Sequence, residues 1–93
     1  MKAICIIYDR ELDPEVVSLL KGNNIITYTR FEGVIGAKTE ADQEKLIINH
    51  ACCIVLPDEE ALHLFNEFEL FKKKKLRKNF GVSIFLIPIE KMA

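Results

Sequence analysis

The sequence predicts an α+β fold in which a four-stranded antiparallel sheet carries two helices on one face. Three observations lead there. Segments of strand and helix character follow one another in the order strand, helix, strand, strand, helix, strand, with no repeat and no low-complexity linker. Pro88 lies inside the last strand-like run, and this arrangement puts that strand at a sheet edge, where a residue without an N–H is tolerated. At 93 residues the chain suits one domain, 1–93, of the ferredoxin-like βαββαβ type.

"KAICIIY", residues 2–8, is short and apolar at both alternating sets of positions, as a central strand should be. Asp13 is expected to cap the first helix, with Pro14 at the first helical position, where a missing N–H costs nothing. Val16, Val17, Leu19 and Leu20 supply its apolar stripe, and Gly22 is expected to end it in the left-handed conformation. "IITYTRF", Ile25 to Phe31, is β-branched and aromatic and reads as the second strand. "LIINHACCIVL", Leu46 to Leu56, reads as the third, antiparallel to the second, and "FEGVIGAKTEADQEK", 31–45, as mostly the loop between them.

The second helix follows in "PDEEALHLFNEFELFKKKKL". Asp58 is its expected N-cap, acidic residues fill its first turn and lysines its last, and both suit the helix dipole. Ala61, Leu64, Phe65, Phe68 and Phe71 recur at helical spacing as its buried face. "NFG", 79–81, turns the chain into the last strand, "VSIFLIPIE".

In this fold one sheet face is covered by the helices, and a monomer should be polar on the other. The strands disagree. On the third, Ile48, His50, Cys52, Ile54 and Leu56 point one way and Ile47, Asn49, Ala51, Cys53 and Val55 the other. The first strand opposes Cys5 and Ile7 to Ile4 and Ile6, and the fourth opposes Phe85 and Ile87 to Ile84 and Leu86. An apolar face without a cover marks an interface, so a homo-oligomer packed through its sheets is expected. A chain this short also gains from burying apolar area against a partner.

Composition excludes several classes. The hydrophobic fraction is 49% and the net charge is -1, which describes a globular chain without the basic face of a nucleic-acid binder. No apolar run approaches the roughly 20 residues of a membrane span. The N-terminal run has no small-residue cleavage site, and a cytoplasmic location is expected. The three cysteines, Cys5, Cys52 and Cys53, sit in apolar stretches and are not expected to form a disulfide framework. His63 has no carboxylate or serine at a catalytic spacing, and Asp9, Arg10, Glu11 and Asp13 read as a loop and a cap, so no enzyme is expected.

Three features carry candidate chemistry. The glycines of 31–45 and their flanking charges can cradle a phosphate through backbone N–H groups, although neither GxGxxG nor GxxxxGK[ST] is present. Lys72 to Lys75 with Arg77 and Lys78 form a basic cluster, read either as a solvated helix end or as an anion site. In "NHACC", His50 and Cys52 share a face with Cys5 on the adjacent strand, a soft donor set for zinc or copper(I), but the CxxC spacing of a structural zinc site is absent.

The order of elements, the second strand running into "FEGVIG", the third ending "IVLPDEE" before a helix, and a last strand after a lysine-rich turn together resemble the PII signalling proteins. That resemblance covers most of the chain. It implies a homotrimer with inward-facing sheets, adenine nucleotides (ATP, ADP or AMP) bound between subunits, 2-oxoglutarate sensing in many members, and a partner protein contacted through residues 34–46. Gly33 and Gly36 match the glycines at the base of the family's loop, and Lys38 stands where a basic residue approaches phosphate.

The departures are specific. The loop is short and lacks the tyrosine that accepts uridylylation in some members. The family's TGxxGDGK segment is replaced by "KKKKLRKNFG", in which only Gly81 remains, so phosphate contacts there fall to Arg77, Lys78 or backbone amides. The chain also ends soon after the last strand, leaving little to close a nucleotide cleft. The expected function is a PII-like regulatory module with altered or no nucleotide binding. The alternatives are a metal-responsive oligomer using His50, Cys52 and Cys5, or an oligomerisation domain without a ligand.

Overall fold

The computed structural model describes the backbone of residues 1–40, 43–76 and 81–93, and the side chains among them except at 37–40, 43–45, 47 and 76. Strand β1 (Lys2–Asp9) leads through a 3-10 turn (Arg10–Leu12) into helix α1 (Asp13–Gly22). Strands β2 (Thr29–Glu40) and β3 (Gln43–Leu56) follow, then helix α2 (Asp58–Leu76) and strand β4 (Val82–Pro88). The sheet runs β2-β3-β1-β4 and is antiparallel throughout, which is the ferredoxin-like order. Pro88 is the last residue of an edge strand, as expected.

The core lies between the sheet and the helices. Ile4, Ile6 and Tyr8 of β1 and Cys52 and Ile54 of β3 meet Val16 and Leu20 of α1 and Ala61, Leu64 and Phe68 of α2. These are the inward positions of a period-2 and a period-3.6 pattern, so every predicted stripe residue of α2 lands on the core, with Phe65 partly buried.

Local details differ from expectation. The N-cap position of α1 falls on Leu12, whose side chain has no acceptor to offer, and the expected cap Asp13 is instead the first residue of the helix. The left-handed residue after α1 is Asn24, at φ 59, and Gly22 remains helical. Asn23 Nδ2 donates to the Leu19 carbonyl at 2.9 Å, satisfying one of the helix's terminal acceptors.

The largest difference concerns 34–46. Residues 34–40 continue β2 and 43–46 begin β3, so the expected loop is two arms of a long hairpin, with 41 and 42 outside the described residues. β1 stops at Asp9, opposite Asn49. The hairpin goes on from Ile35↔Ile48 to Glu40↔Gln43, a projection of about 20 Å at 3.4 Å per residue. Polar side chains made this stretch look like loop, but antiparallel pairing satisfies its backbone whatever the side chains are.

The register shifts between Phe31/Ala51 and Val34/Asn49, one extra residue on β2, and Gly33 within that bulge has φ 66. Space is not limiting, since a Cβ at Gly33 would meet nothing within 4 Å. The cost of a side chain is therefore conformational. Gly33→Ala is expected to lower stability by about 1–2 kcal/mol, with Gly33→Asn recovering part of the loss because asparagine tolerates this region. Urea unfolding of the two variants checks the order, and equal losses would show that the bulge is not what requires glycine.

Candidate functional site at the hairpin base

Where β1 ends and the hairpin leaves the sheet, the chain gathers its polar groups. Asp9 Oδ1 accepts from the Glu11 N–H at 2.9 Å, closing the 3-10 turn that carries Asp13 back beneath β1. Tyr8 points into the core and donates its hydroxyl to Asp13 Oδ1 at 2.7 Å. Arg30, on the helix-covered face of β2, donates through Nε to Asp13 Oδ1 at 3.0 Å and through its terminal nitrogen to Oδ2 at 2.6 Å. The same terminal nitrogen lies 3.1 Å from Glu32 Oε1.

Two groups of β3 complete the cluster. Cys52 Sγ sits 3.4 Å from the Tyr8 oxygen. The phenol has one proton and gives it to Asp13, so the thiol is the donor here. His50 meets the Tyr8 ring edge-on, with centroids 6.1 Å apart, and its Nδ1 is buried with no hydrogen-bond partner among the described residues.

The electrostatics follow from burial and these contacts. Burial opposes ionisation of Asp13, but the Tyr8 hydroxyl and the Arg30 guanidinium outweigh it and hold the carboxyl below its usual range. Burial, together with Cys52 and Asp13, pushes the Tyr8 phenol far up. Burial also raises the Cys52 thiol. The cluster therefore has a fixed charge pattern at neutral pH: a carboxylate clamped bidentately by arginine, a neutral phenol and a neutral thiol.

The structure brings some predicted residues here and separates others. Gly33 lies in the bulge at the hairpin base, and the Gly81 carbonyl accepts from the Asp9 N–H at 3.1 Å, so both border the cluster. Gly36, opposite Ile47, and Lys38, opposite Lys45, are carried outward along the hairpin. Arg77 and Lys78 lie outside the described residues. Of the basic cluster before them, Lys75 is committed to the fold: its ammonium pairs with Glu15 and sits over the Phe71 ring.

The metal alternative does not assemble. Cys5 pairs with Cys53 on the open face, whereas His50 and Cys52 face the helices, because adjacent residues of a strand point to opposite sides. His63 is exposed on α2, 3.9 Å from Glu67. At the opposite end of the sheet from the hairpin, a cavity of about 240 Å³ lies between Asn23, Ile25, Leu56, Glu60, His63 and Leu64.

Sequence reasoning missed Tyr8, Asp13, Arg30, Glu32 and His50 as a group. One signal was present. Arg30 alternates with Thr29 and Phe31 in a strand, which turns its side chain to the helix side of the sheet, where Asp13 is an acidic neighbour.

Comparison of this architecture with solved structures finds extensive likeness. CPII from Thiomonas intermedia K12, a nitrogen regulatory PII-like protein bound to ADP, AMP and bicarbonate, superposes with a TM-score of 0.67 at 17% identity, covering 99% of this chain and 94% of that one. The fold is the PII-like one. The divalent ion tolerance protein CutA1 from Ehrlichia chaffeensis shares it, with a TM-score of 0.63 at 16% identity over 100% of this chain and 87% of that one. So does a DUF3240 family protein from Shewanella baltica, with a TM-score of 0.62 at 10% identity over 99% and 92%. No family model matches the sequence, and no curated protein matches it in a sequence comparison. Among the described residues, no helix is long and apolar enough to cross a membrane.

Proposed function

We propose that the chain is a PII-like regulatory protein of the cytoplasm, acting by binding and not by catalysis. It assembles as a homotrimer through the open sheet face, holds a small anion, an adenine nucleotide, at the hairpin base between copies, and offers the hairpin over 34–46 to a partner protein. The observation that carries this reading is the hairpin itself, projecting beyond the sheet from a base of Asp13, Arg30, Glu32 and His50.

The open face supports assembly. Phe31, Val55, Phe85 and Ile87 are all substantially exposed on it, and apolar side chains gathered on an uncovered sheet face are what an interface offers. The hairpin supports a partner contact, since Ile35, Leu46 and Ile48 are exposed along one of its sides.

The cluster supplies the coupling. Of the two carboxylates on Arg30, Glu32 is two-thirds exposed and holds its partner weakly, whereas Asp13 is clamped by two bonds. A phosphate at the base competes with Glu32 for the outward guanidinium N–H. Arg30 and Glu32 both stand on β2 at the root of the hairpin, so this exchange biases the hairpin's position, a population shift and not a reaction. Arg77 and Lys78 are the further cations this reading assigns to the ligand, whereas Lys38, carried outward along the hairpin, is left to the partner contact.

The test is thermal unfolding with ATP, ADP, AMP and bicarbonate, in parallel with calorimetric titration. A ligand present at 100 times its Kd stabilises by about 2.7 kcal/mol. The expected result is a rise with at least one nucleotide that is lost in Arg30→Gln while the native mass is kept. Wild-type protein that responds to no nucleotide removes the ligand from the proposal.

A further inference from the structure

The open sheet face carries a thiol pair that neither the hairpin nor the cluster uses. Cys5 and Cys53 are direct cross-strand partners of β1 and β3, and their sulfurs lie 3.1 Å apart. Directly opposed residues of an antiparallel pair have Cα atoms about 4.5–5.5 Å apart, inside the range a disulfide spans, so side-chain rotation alone brings the sulfurs to bonding distance. Both side chains are part-exposed. The third cysteine, Cys52, is fully buried on the other face against Tyr8.

We propose that Cys5 and Cys53 form a reversible intramolecular disulfide, an oxidation site built into the register of the two central strands. The oxidant is a low-molecular-weight disulfide such as oxidised glutathione. One cysteine thiolate attacks a glutathione sulfur, forming a mixed disulfide and releasing one glutathione thiolate. The second cysteine, on losing its proton, attacks the protein-bound sulfur, forms the Cys5–Cys53 bond and releases the second glutathione. Two S–H bonds of the protein are lost, one S–S bond moves, and two electrons and two protons end on glutathione.

The surroundings favour this product over bound metal. Thr29 and Phe85 are the strand partners flanking the pair, and Ala3, Ile7, Ala51 and Val55 share its face. Burial and the adjacent Cys5 push the Cys53 thiol up to about 11, which makes the thiolate that starts the exchange scarce and disfavours the lasting thiolate charge of a metal site. A disulfide is neutral. It also links positions 48 residues apart in sequence, which restricts the unfolded chain far more than a short loop would.

The inference rests on strand register, the sulfur separation and the partial exposure of the pair, and stands or falls separately from the ligand and the assembly. The 93-residue chain is oxidised with oxidised glutathione in two ways: in the native state, and during refolding from urea, where an assembled partner cannot shield the face. Peptide mapping is expected to find Cys5 linked to Cys53 after at least one treatment, with the loss of two hydrogens reversed by dithiothreitol. The oxidised protein should melt about 10 °C above the reduced. Cys53→Ser abolishes link and shift, and Cys52→Ala keeps both. A link through Cys52, links between chains only, or free thiols after oxidative refolding would overturn the proposal.

Discussion

Replacing Asp13 with alanine is expected to destabilise the protein by about 2 kcal/mol at neutral pH, because the buried Tyr8 hydroxyl loses its acceptor. In a domain of this size that lowers Tm by about 10 °C. The companion variant Asp13→Asn keeps an acceptor for the tyrosine and loses the charge, so its deficit at neutral pH should be smaller. The two variants separate the neutral hydrogen bond from the ionic clamp.

Their acid limbs separate them again. The carboxyl of Asp13 is held below its ordinary value of 3.8 in the folded protein. A group depressed on folding contributes stability that is complete above its unfolded pKa and is lost as pH falls through the folded one. Wild-type protein should therefore lose this contribution on acidification below about pH 4, and Asp13→Asn should be flatter over that interval. Denaturant midpoints at stepped pH measure it. Equal slopes would show that other carboxylates, not the one joining α1 to β2, govern acid stability.

How much of this was legible depended on whether the information was local. The α2 stripe, from Ala61 to Phe71, repeats a period that only a helix buries, and it landed on the core as read. The paired apolar faces of β1, β3 and β4 were equally readable, because alternation within a strand fixes the side of every residue. The hairpin failed for a complementary reason. "GAKTEADQEK" carries no apolar alternation beyond the sheet, since its arms have no core to face, and pairing of backbones leaves no trace in side-chain pattern.

The cluster was hidden by non-local competition. Asp13 has the composition and the position of a cap, with proline after it, and capping is the strongest local use of an aspartate there. It is claimed instead by Tyr8, five residues back, and by Arg30, 17 residues on. Only the return of β2 to the far side of β3 brings that arginine above α1. The Cys5–Cys53 pair was hidden in the same way: both cysteines were read as small hydrophobes, and their contact follows from a register that composition does not set.

Phe85→Asp is expected to convert the assembled protein to a species of 10.7 kDa while leaving the protomer folded. Phe85 is 48% exposed on β4, opposite Cys5, in the middle of the open face, so the fold of one chain does not need it. A second copy does. A carboxylate pressed against a partner's apolar sheet costs several kcal/mol per buried ion, repeated at each symmetric contact, and the face offers it no cation among its described neighbours. Leu62→Asp makes the same chemical change at a 51% exposed position on α2, on the helical side of the domain, and should leave the native mass unaltered. Sedimentation equilibrium reads three protomers for wild type and Leu62→Asp and one for Phe85→Asp, with far-ultraviolet dichroism unchanged in all. Wild-type protein already at 10.7 kDa would leave the apolar face to a different partner and, with it, take away the cleft between copies on which the proposed nucleotide binding depends.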